Sequence, residues 1–345
     1  MLKIVENEPA IRRYQRQFVR GFRLLKEEKI PIKLGHPGAS MKATVSWSER
    51  LGIWFFSRKI AGSRYWHAFG VGRPEGGAGV AITCEINFPL CGIDRRTGGA
   101  FAQDHEGRIY VVHRGKLGGG RKGIGKSLFE NRYRGVWEIM DDGGEETPVA
   151  VIGILSSPRF ARQIAQFVRK IARIKETAVA RSSQAELTFD EICVHEDLIG
   201  VRHCELERET GAECDRGLVI RDLSDALNGH GLRTRNDGER DLIAMNREGR
   251  IRAVFQILTE MSPTGLRTGA AQLILGALDL PDNPIIVLVL PRAPENALQD
   301  KLKRQNIGLL LYAWEGDRAV FPGLNILLPR ISPVNVCLRN ETAGS

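Results

Sequence analysis

The last third of the chain carries residues whose types and spacing could support metal-dependent chemistry. Asp241 lies at the entrance of a short predicted strand, and a second predicted strand, Arg252–Thr259, follows after a tight turn. Because side chains alternate along a strand, Gln256, Leu258 and Glu260 should share one face at its end. Mg²⁺ takes oxygen ligands, which a carboxylate or a glutamine carbonyl can supply and a leucine cannot. The pattern therefore predicts a metal site with oxygen ligands, in which Leu258 occupies one position without supplying a ligand.

A second stretch with chemical potential is the glycine-rich basic segment His113–Arg134, HRGKLGGGRKGIGKSLFENRYR. Within it, Gly120–Ser127 satisfies the P-loop pattern GxxxxGK[ST]. A P-loop binds phosphates when a buried strand leads directly in and a long helix leads out. Here the preceding predicted strand ends near His113, seven residues before Gly120, and a strand returns at Val136. A P-loop NTPase is therefore an alternative that the surrounding pattern disfavours.

The same segment is better interpreted as a basic loop that contacts the phosphates of DNA. Glycines allow backbone N–H groups to approach phosphate closely, and basic side chains bind it with release of counterions. A solvated surface loop without a partner is the alternative. The residues predicted to bind nucleic acid are Arg114, Lys116, Arg121, Lys122, Lys126, Arg132 and Arg134.

Composition and charge narrow the class of protein. The 345 residues are enough for two domains, each with a core of its own. Residues 1–175 contain 31 Lys and Arg against 16 Asp and Glu, a net charge of +15, whereas residues 176–345 carry −6. Such asymmetry favours a polyanionic partner for the first half, most often nucleic acid. A basic surface without a partner is the alternative.

Other sequence features argue against membrane and secreted proteins. No apolar run approaches the ~20 residues that a membrane span requires. Acidic residues occupy the N-terminal stretch, where a secretion signal needs an apolar core. The six cysteines form no CxxC pair, which is typical of reduced thiols. We therefore expect a cytoplasmic protein with no membrane partner.

The first half is predicted to be β-rich. Pro9–Lys29 has the apolar spacing of a basic helix, and Ile30–Ser40, with its prolines and glycines, is predicted to be a linker. Over 41–154, short β-like runs alternate with glycines, a pattern typical of a barrel or curved sheet. Four of the five tryptophans fall here, and one or two of them could line a pocket for a stacked or flipped-out base. A helix is predicted to begin at Ser157-Pro158.

The second half is predicted to contain a mixed sheet with helices. A Gly-containing turn at Asn246–Gly249 joins two β-rich runs, and an apolar helix is expected at Gly269–Leu280. Ile285–Leu290 is a continuous apolar run between prolines, which is typical of a central strand covered on both faces. Ala297–Arg304 is predicted to be a helix and Leu309–Trp314 a further buried strand.

This order of elements resembles the core of the PD-(D/E)XK nuclease superfamily over the last third of the chain. Asp241 occupies the place of the family's first metal-binding aspartate, FQILTE that of segments such as FEIKTE, and Gln272 that of a glutamine on the following helix. The resemblance implies a restriction-endonuclease-like α/β/α domain in which Asp241 would hold Mg²⁺ and Gln256 and Glu260 would complete the catalytic site. Two residues depart from the family pattern: Gln256 replaces a metal-binding acid, and Leu258 replaces the lysine that activates the attacking water.

These departures leave two functional hypotheses open. Hydrolysis of this type needs carboxylates that hold the metal ion and a group that generates hydroxide near neutral pH. Leu258 does neither. The domain is therefore either a pseudonuclease that binds DNA or docks a partner, or a metal-dependent DNA endonuclease whose active site has migrated.

The whole chain is predicted to combine α+β and α/β parts in three segments. These are a basic N-terminal helix and linker at 1–40, a basic β-rich, barrel-like DNA-binding domain at 41–176, and the nuclease-like domain at 187–330. This plan resembles modification-dependent restriction endonucleases, which join a base-reading β-domain to a PD-(D/E)XK domain. We expect a DNA-binding protein of restriction or repair type, with duplex DNA as partner and Mg²⁺ as cofactor if it is active. A homodimer is an open alternative to a monomer.

Overall fold

The structure, a computed structural model, describes residues 1–36, 39–117, 125–182, 202–203 and 210–331. The chain divides into two compact units. The first consists mainly of residues before Asp222 and the second mainly of residues after Arg221, with the short segment Glu315–Arg318 assigned to the first. Each unit has its own sheets and its own hydrophobic core. Within the described ranges, no helix is long and apolar enough to cross a membrane.

The first unit combines helices with short strands. Its helices are α1 (Glu8–Gly21), α2 (Lys126–Arg132), α3 (Phe160–Ser182) and α4 (Thr210–Glu213), with a 3-10 turn at Arg23–Leu25. Its strands are β1 (Leu2–Ile4), β2 (Glu28–His36), β3 (Ala39–Ser48), β4 (Ile53–Ile60), β5 (Arg64–Val71), β6 (Gly79–Ala81), β7 (Cys84–Glu85), β8 (Phe88–Pro89), β9 (Gly99–Gln103), β10 (Ile109–His113), β11 (Val136–Asp141), β12 (Glu146–Ile154) and β13 (Arg202–His203). The boundary between the units falls inside the next helix, α5 (Arg216–Gly229).

Five strands of the first unit close into a barrel. The order β1-β9-β10-β12-β11 returns to β1, which pairs parallel to β11, and the other neighbours are antiparallel. Because side chains alternate along a strand, Val112 and Val151 lie inside the barrel. Val111 and Ile152 point outward and join a second core that includes α1 and α3. The predicted barrel-like fold of the first half is therefore confirmed.

A second sheet of the first unit has the strand order β6-β2-β3-β4-β5-β7, with β8 also paired to β5. One face of this sheet has a core of its own that includes Trp47, Trp54 and Trp66. On β4 and β5, the opposite face packs against α1 and α3 through residues such as Phe55 and Phe69. The sheet is thus buried on both faces at one edge and only on one face at β2 and β3.

The linker predicted at Ile30–Ser40 is wrong, because β2 and the start of β3 occupy this stretch. Ile30, Ile32 and Leu34 are buried, while the residues between them are exposed. This is the period of two that a half-buried strand requires. The prolines and glycines of the segment obscured that period in the sequence.

The two long helices of the first unit meet in one aromatic core. α1 begins where predicted, because the Asn7 side chain accepts a hydrogen bond from the Ala10 N–H at 3.1 Å. α3 begins at Phe160, slightly after the predicted Ser157-Pro158, and continues to Ser182; the Ser157 hydroxyl accepts a hydrogen bond from the Arg159 N–H in the turn before the helix. The ring of Phe18 in α1 lies 5.6 Å from that of Phe160 in α3. The apolar stripe of the N-terminal helix is therefore a face of the core.

The second unit is a mixed sheet with helices. Its strands are β14 (Arg233–Arg235), β15 (Leu242–Met245), β16 (Ile251–Ile257), β17 (Ile285–Leu290), β18 (Ile307–Leu311), β19 (Ala313–Glu315) and β20 (Arg318–Val320). Besides the second part of α5, its helices are α6 (Pro263–Leu278), α7 (Asn296–Arg304) and α8 (Leu324–Ile331).

The main sheet of the second unit follows the order β14-β15-β16-β17-β18. β15 is antiparallel to both neighbours, whereas β16, β17 and β18 run parallel. The buried strand predicted at Ile285–Leu290 is confirmed, and so is the turn at Asn246–Gly249 that joins β15 to β16. The helix predicted at Gly269–Leu280 begins earlier, because Ser262 caps it by accepting a hydrogen bond from the Gly265 N–H at 3.0 Å.

Candidate functional site

Asp241 lies immediately before β15, and its carboxylate is held inside the second unit. The residue is 6% exposed, and its Oδ2 accepts a hydrogen bond of 2.8 Å from the backbone N–H of Ile257. Since Leu242 pairs with Phe255, Asp241 lies across from Gln256, at the end of β16. The structure therefore brings Asp241 and Gln256 together as predicted from the sequence.

Leu258 is part of the hydrophobic core at the position where the family pattern has a lysine. Its side chain is 5% exposed and packs with Leu266 and Leu273 of α6. A Cβ atom on Gly269 would lie only 2.8 Å from Leu258 Cδ2, so the absence of a side chain at Gly269 lets α6 approach this leucine. The space beside Asp241 and Gln256 is therefore closed on this side by apolar packing.

Glu260 lies beyond the strand that was expected to carry it. β16 ends at Ile257, and the Leu258 N–H just beyond it donates a hydrogen bond to the Val289 carbonyl at 2.9 Å. Glu260 is half-buried in the connection to α6. The strand alternation that was to place it on the same face as Gln256 therefore does not extend to it.

The donors at this site do not fit a Mg²⁺ ion held as in a nuclease. Asp241 contributes a carboxylate with one oxygen already committed to a backbone N–H, Gln256 is 3% exposed, and Leu258 offers no donor. Among the residues that the structure describes, no group of three His, Cys, Asp or Glu side chains is placed to hold a metal ion. A hard divalent cation needs several oxygen ligands, preferably charged.

A buried acid on α5 and the glutamine of the nuclease pattern lie in different environments. Asp222, on α5, is 6% exposed and accepts a hydrogen bond of 2.8 Å from the Ala319 N–H. Gln272 lies on the exposed side of α6, next to the buried Leu273. Asp222 therefore has a structural bond of its own.

The basic loop begins at an anchored histidine. His113, at the end of β10, is fully buried, which lowers its pKa to about 4. Its Nδ1 lies 3.0 Å from the Gly115 N–H and accepts from it, so Nε2 carries the proton and donates to the Glu85 carbonyl at 3.1 Å. A neutral imidazole with one donor and one acceptor fits both contacts. The entrance of the loop is therefore fixed within the fold.

The sequence predicted Arg114 to be a surface contact for nucleic acid, and this prediction is wrong. Its side chain is buried, and its guanidinium donates to both carboxylate oxygens of Asp142, at 2.9 and 2.7 Å. The carbonyls of Thr97 and Gly99 accept from its Nη1 at 3.4 Å. A guanidinium held by four acceptors in the interior stabilises the fold and is not exposed for contact with a phosphate backbone.

The other predicted loop residues have varied environments. The Lys116 ammonium group donates to the Arg95 carbonyl, and Lys126 forms an exposed ion pair with Glu130 at 3.4 Å. Arg132 and Arg134 are half-exposed at the end of α2 and just beyond it. Arg121 and Lys122 lie outside the described residues. Of the residues predicted to bind nucleic acid, Lys116, Lys126, Arg132 and Arg134 thus retain accessible charge.

The described part of the P-loop pattern does not have the environment of a nucleotide site. α2 begins at Lys126 and is seven residues long, and β10 ends at His113, well before the pattern starts. A P-loop requires a strand that leads directly into the loop and a long helix after it. Most of the pattern, 120–124, lies outside the described residues.

Three of the tryptophans that could have lined a base pocket belong to the core. Trp47, Trp54 and Trp66 are between 1% and 8% exposed. Trp54 packs against Gly70, where a Cβ atom would be only 2.3 Å from the indole ring. Trp137 is half-buried, with its ring 5.7 Å from that of Tyr133 in an edge-on contact. Most tryptophans of the first unit are therefore core residues.

One group of basic residues on the first unit was not predicted from the sequence, because part of its segment, Ile30–Ser40, was interpreted as a linker. The group is exposed on α1, on the turn after it and on the hairpin β2–β3. Its members are Arg16, Arg20, Arg23, Lys29, Lys33 and Lys42. A period-two analysis of 29–34 would have placed the lysines on one strand face.

Comparison of the chain with protein-family models, with curated proteins and with solved structures returned no match.

Proposed function

We propose that this protein binds nucleic acid through its basic first unit and that its second unit is a nuclease-like domain that does not cleave DNA. The restriction-endonuclease-like fold is part of this proposal. It is supported by a strand that begins after an acid, a hairpin, a helix and then a buried strand parallel to the second hairpin strand. The resemblance to the PD-(D/E)XK superfamily rests on the same order of elements.

The observation that carries the non-cleaving part of the proposal is the burial of Leu258. A lysine at this place would need a partner and access to water, whereas Leu258 is enclosed by α6 at a glycine that leaves no spare room. An aliphatic side chain at position 258 cannot supply the charge that would lower the pKa of an attacking water molecule, and it cannot accept its proton. One carboxylate with a committed oxygen leaves metal-assisted hydrolysis without its donors.

The nucleic-acid part of the proposal is supported by charge. The first 175 residues carry a net charge of +15. Lys126, Arg132 and Arg134 are accessible near the basic loop, and six further basic residues are exposed on α1 and β2–β3. Phosphate contacts by such side chains supply most sequence-independent affinity for nucleic acid.

The test is an assay of binding and cleavage with the full chain. Duplex DNA should bind with an affinity that falls steeply as salt rises, and no metal-dependent nicking of plasmid DNA should occur in Mg²⁺ or Mn²⁺. Asp241→Asn is the matched control because it removes the charge and keeps an acceptor oxygen. Cleavage by the wild-type chain that Asp241→Asn abolishes would establish the alternative, an active endonuclease with a migrated site. Absence of any salt-dependent binding would refute the nucleic-acid part.

The variant Gln256→Glu with Leu258→Lys tests the assignment of the site itself. If these positions correspond to the family's acid and lysine, calorimetry should detect Mg²⁺ or Mn²⁺ binding in the variant and little in the wild-type chain. The buried lysine should also weaken the strand, because burial disfavours its charged form. A folded variant with no gain in metal affinity would contradict the assignment.

A further inference from the structure

We propose that the exposed basic residues of α1, the turn after it and the hairpin β2–β3 form the surface on which the first unit holds the backbone of duplex nucleic acid. This α1–hairpin surface consists of Arg16, Arg20, Arg23, Lys29, Lys33 and Lys42. The inference deepens the proposed function, on which it rests, by placing the contact away from the glycine-rich loop.

Lys29, Lys33 and Lys42 share one face of the hairpin because of the register of the sheet. Lys29 pairs with Ser46, and Ser46 with Phe55, so these three side chains share one face. On that face the residue that follows α1 covers the β4 end, since the Phe22 ring lies 4.9 Å from the Phe55 ring. The β2–β3 end is left uncovered. The C-terminal end of α1 therefore adjoins the uncovered strip of the sheet.

Like charges are placed close together on this surface. Lys33 and Lys42 are directly opposite each other across the hairpin, an arrangement that costs stability when no anion lies nearby. Arg16 and Arg20 lie one helical turn apart, ~6 Å along the axis of α1. Lys29 precedes Lys33 by four residues, ~13 Å along the strand on the same face.

Lys26 links the helix to the hairpin. Its ammonium group lies 4.6 Å above the Phe55 ring. Its pKa is lowered, first by partial burial and then by the positive charges of Lys29 and Arg23. Lys29 on the hairpin and Arg23 on the turn after α1 are therefore both close to Lys26.

The carboxylates adjacent to these residues are engaged elsewhere. Glu8 pairs with Arg12, and Glu28 forms a two-pronged ion pair with Arg73, with a shortest distance of 2.8 Å. Glu27 accepts a hydrogen bond from the Glu49 N–H at 3.0 Å. Within the described part of the chain, no carboxylate forms an ion pair with the six members of the α1–hairpin surface. Their charge is therefore available to an external polyanion.

The chemistry of the surface favours a phosphate backbone over unpaired bases. Proteins that hold single strands present aromatic rings on which bases stack. Here the ring of Tyr14 is covered by the Arg13 guanidinium at 4.7 Å, and Phe55 is buried below Lys26. The other exposed positions between the lysines are small or aliphatic, such as Pro31 and Thr44. Contact with phosphates alone predicts duplex binding with little dependence on sequence.

The experiment compares three charge-neutralised full-length variants with the wild-type chain. The first carries Arg16→Gln, Arg20→Gln, Lys33→Gln and Lys42→Gln. The matched control removes the same charge from the second unit, with Arg292→Gln, Lys301→Gln, Lys303→Gln and Arg304→Gln. The third alters the glycine-rich loop, with Arg121→Gln, Lys122→Gln and Lys126→Gln. Circular dichroism first establishes that each variant is folded.

Binding of a fluorescent 20-base-pair duplex is measured by anisotropy over a range of salt concentrations. The α1–hairpin variant should bind ~10-fold or more weakly, and its log Kd against log salt slope should flatten by up to about 3–4 units, because each phosphate contact contributes ~0.9. The second-unit control should retain the wild-type slope. A wild-type slope in the α1–hairpin variant overturns the inference. Weaker duplex binding in the loop variant alone also overturns it, but leaves the proposed function standing. No duplex binding by the wild-type chain overturns both, and tighter binding of the single strand overturns the duplex assignment.

Discussion

Acid should unfold the first unit because two of its histidines are buried in the neutral form. His67 is fully buried between Phe18 and Phe88, with ring centroids 4.8 and 5.5 Å away, and its two ring nitrogens have no hydrogen-bond partner in the described structure. Burial lowers its pKa to about 3. Burial likewise lowers the pKa of His113 to about 4.

The direction of the effect follows from proton linkage. An unfolded histidine titrates near 6.5, so below that pH the unfolded chain binds protons that the folded chain does not, and the free energy of unfolding falls. The loss grows until the pH reaches the folded pKa values. At pH 5 each histidine should cost about 2 kcal/mol relative to pH 7.5, or about 4 kcal/mol for His67 and His113 together. Because pH 5 lies above both folded values, this estimate depends only on the unfolded pKa.

The assay is urea unfolding at pH 7.5 and pH 5.0, followed by tryptophan fluorescence. Four of the five tryptophans belong to the first unit, so the signal reports mainly on it. His67→Phe should remove about 2 kcal/mol of the pH dependence, because its side chain cannot take up a proton. His105→Gln is the matched control, since the His105 side chain is 85% exposed. The same pH dependence in His67→Phe as in the wild-type chain would refute the argument.

Two further predictions concern stability. Asp142→Ala should destabilise the first unit by about 3–5 kcal/mol in urea unfolding, because it leaves the buried Arg114 guanidinium without its carboxylate. The double variant Arg114→Met with Asp142→Leu should be far less affected, and equal losses would contradict this reasoning. Gly269→Ala should cost the second unit about 1–3 kcal/mol, because the new methyl group meets Leu258. Adding Leu258→Val should recover part of this loss; no recovery would place the strain elsewhere.

The elements of the fold differed in how well the sequence predicted them, for local physical reasons. Ile285–Leu290 is apolar throughout and bounded by prolines, so both its burial and its length could be predicted. The start of α6 was missed because Pro263 and Gly265 resemble loop residues, although proline suits a first helical turn and Ser262 caps it. β2 was missed for a similar reason: its alternation was interrupted by Pro31 and Gly35.

The candidate sites were harder to predict because side-chain partners are distant in sequence. Arg114 belongs to a run of basic residues, and only the fold shows that Asp142, 28 residues later, pairs with it in the interior. The proximity of Asp241 and Gln256 was predictable, since both lie at the same end of one hairpin. The position of Glu260 was not, because alternation holds only as far as the strand, and nothing in FQILTE marks Ile257 as its last residue.

Asp241 could be required for two different reasons, as an acceptor for the Ile257 N–H or as a metal ligand, and the sequence motif does not distinguish them. A buried backbone N–H left without an acceptor costs about 1–3 kcal/mol, so the bond to the Ile257 N–H is sufficient reason for an oxygen-bearing side chain here. Asparagine retains an acceptor oxygen, whereas alanine leaves the N–H unsatisfied. Loss of an activity in Asp241→Ala would therefore not distinguish a damaged strand pair from a missing metal ligand. Asp241→Asn keeps the bond and removes the charge, so it is the substitution that tests whether this carboxylate has any chemistry beyond holding β15 to β16.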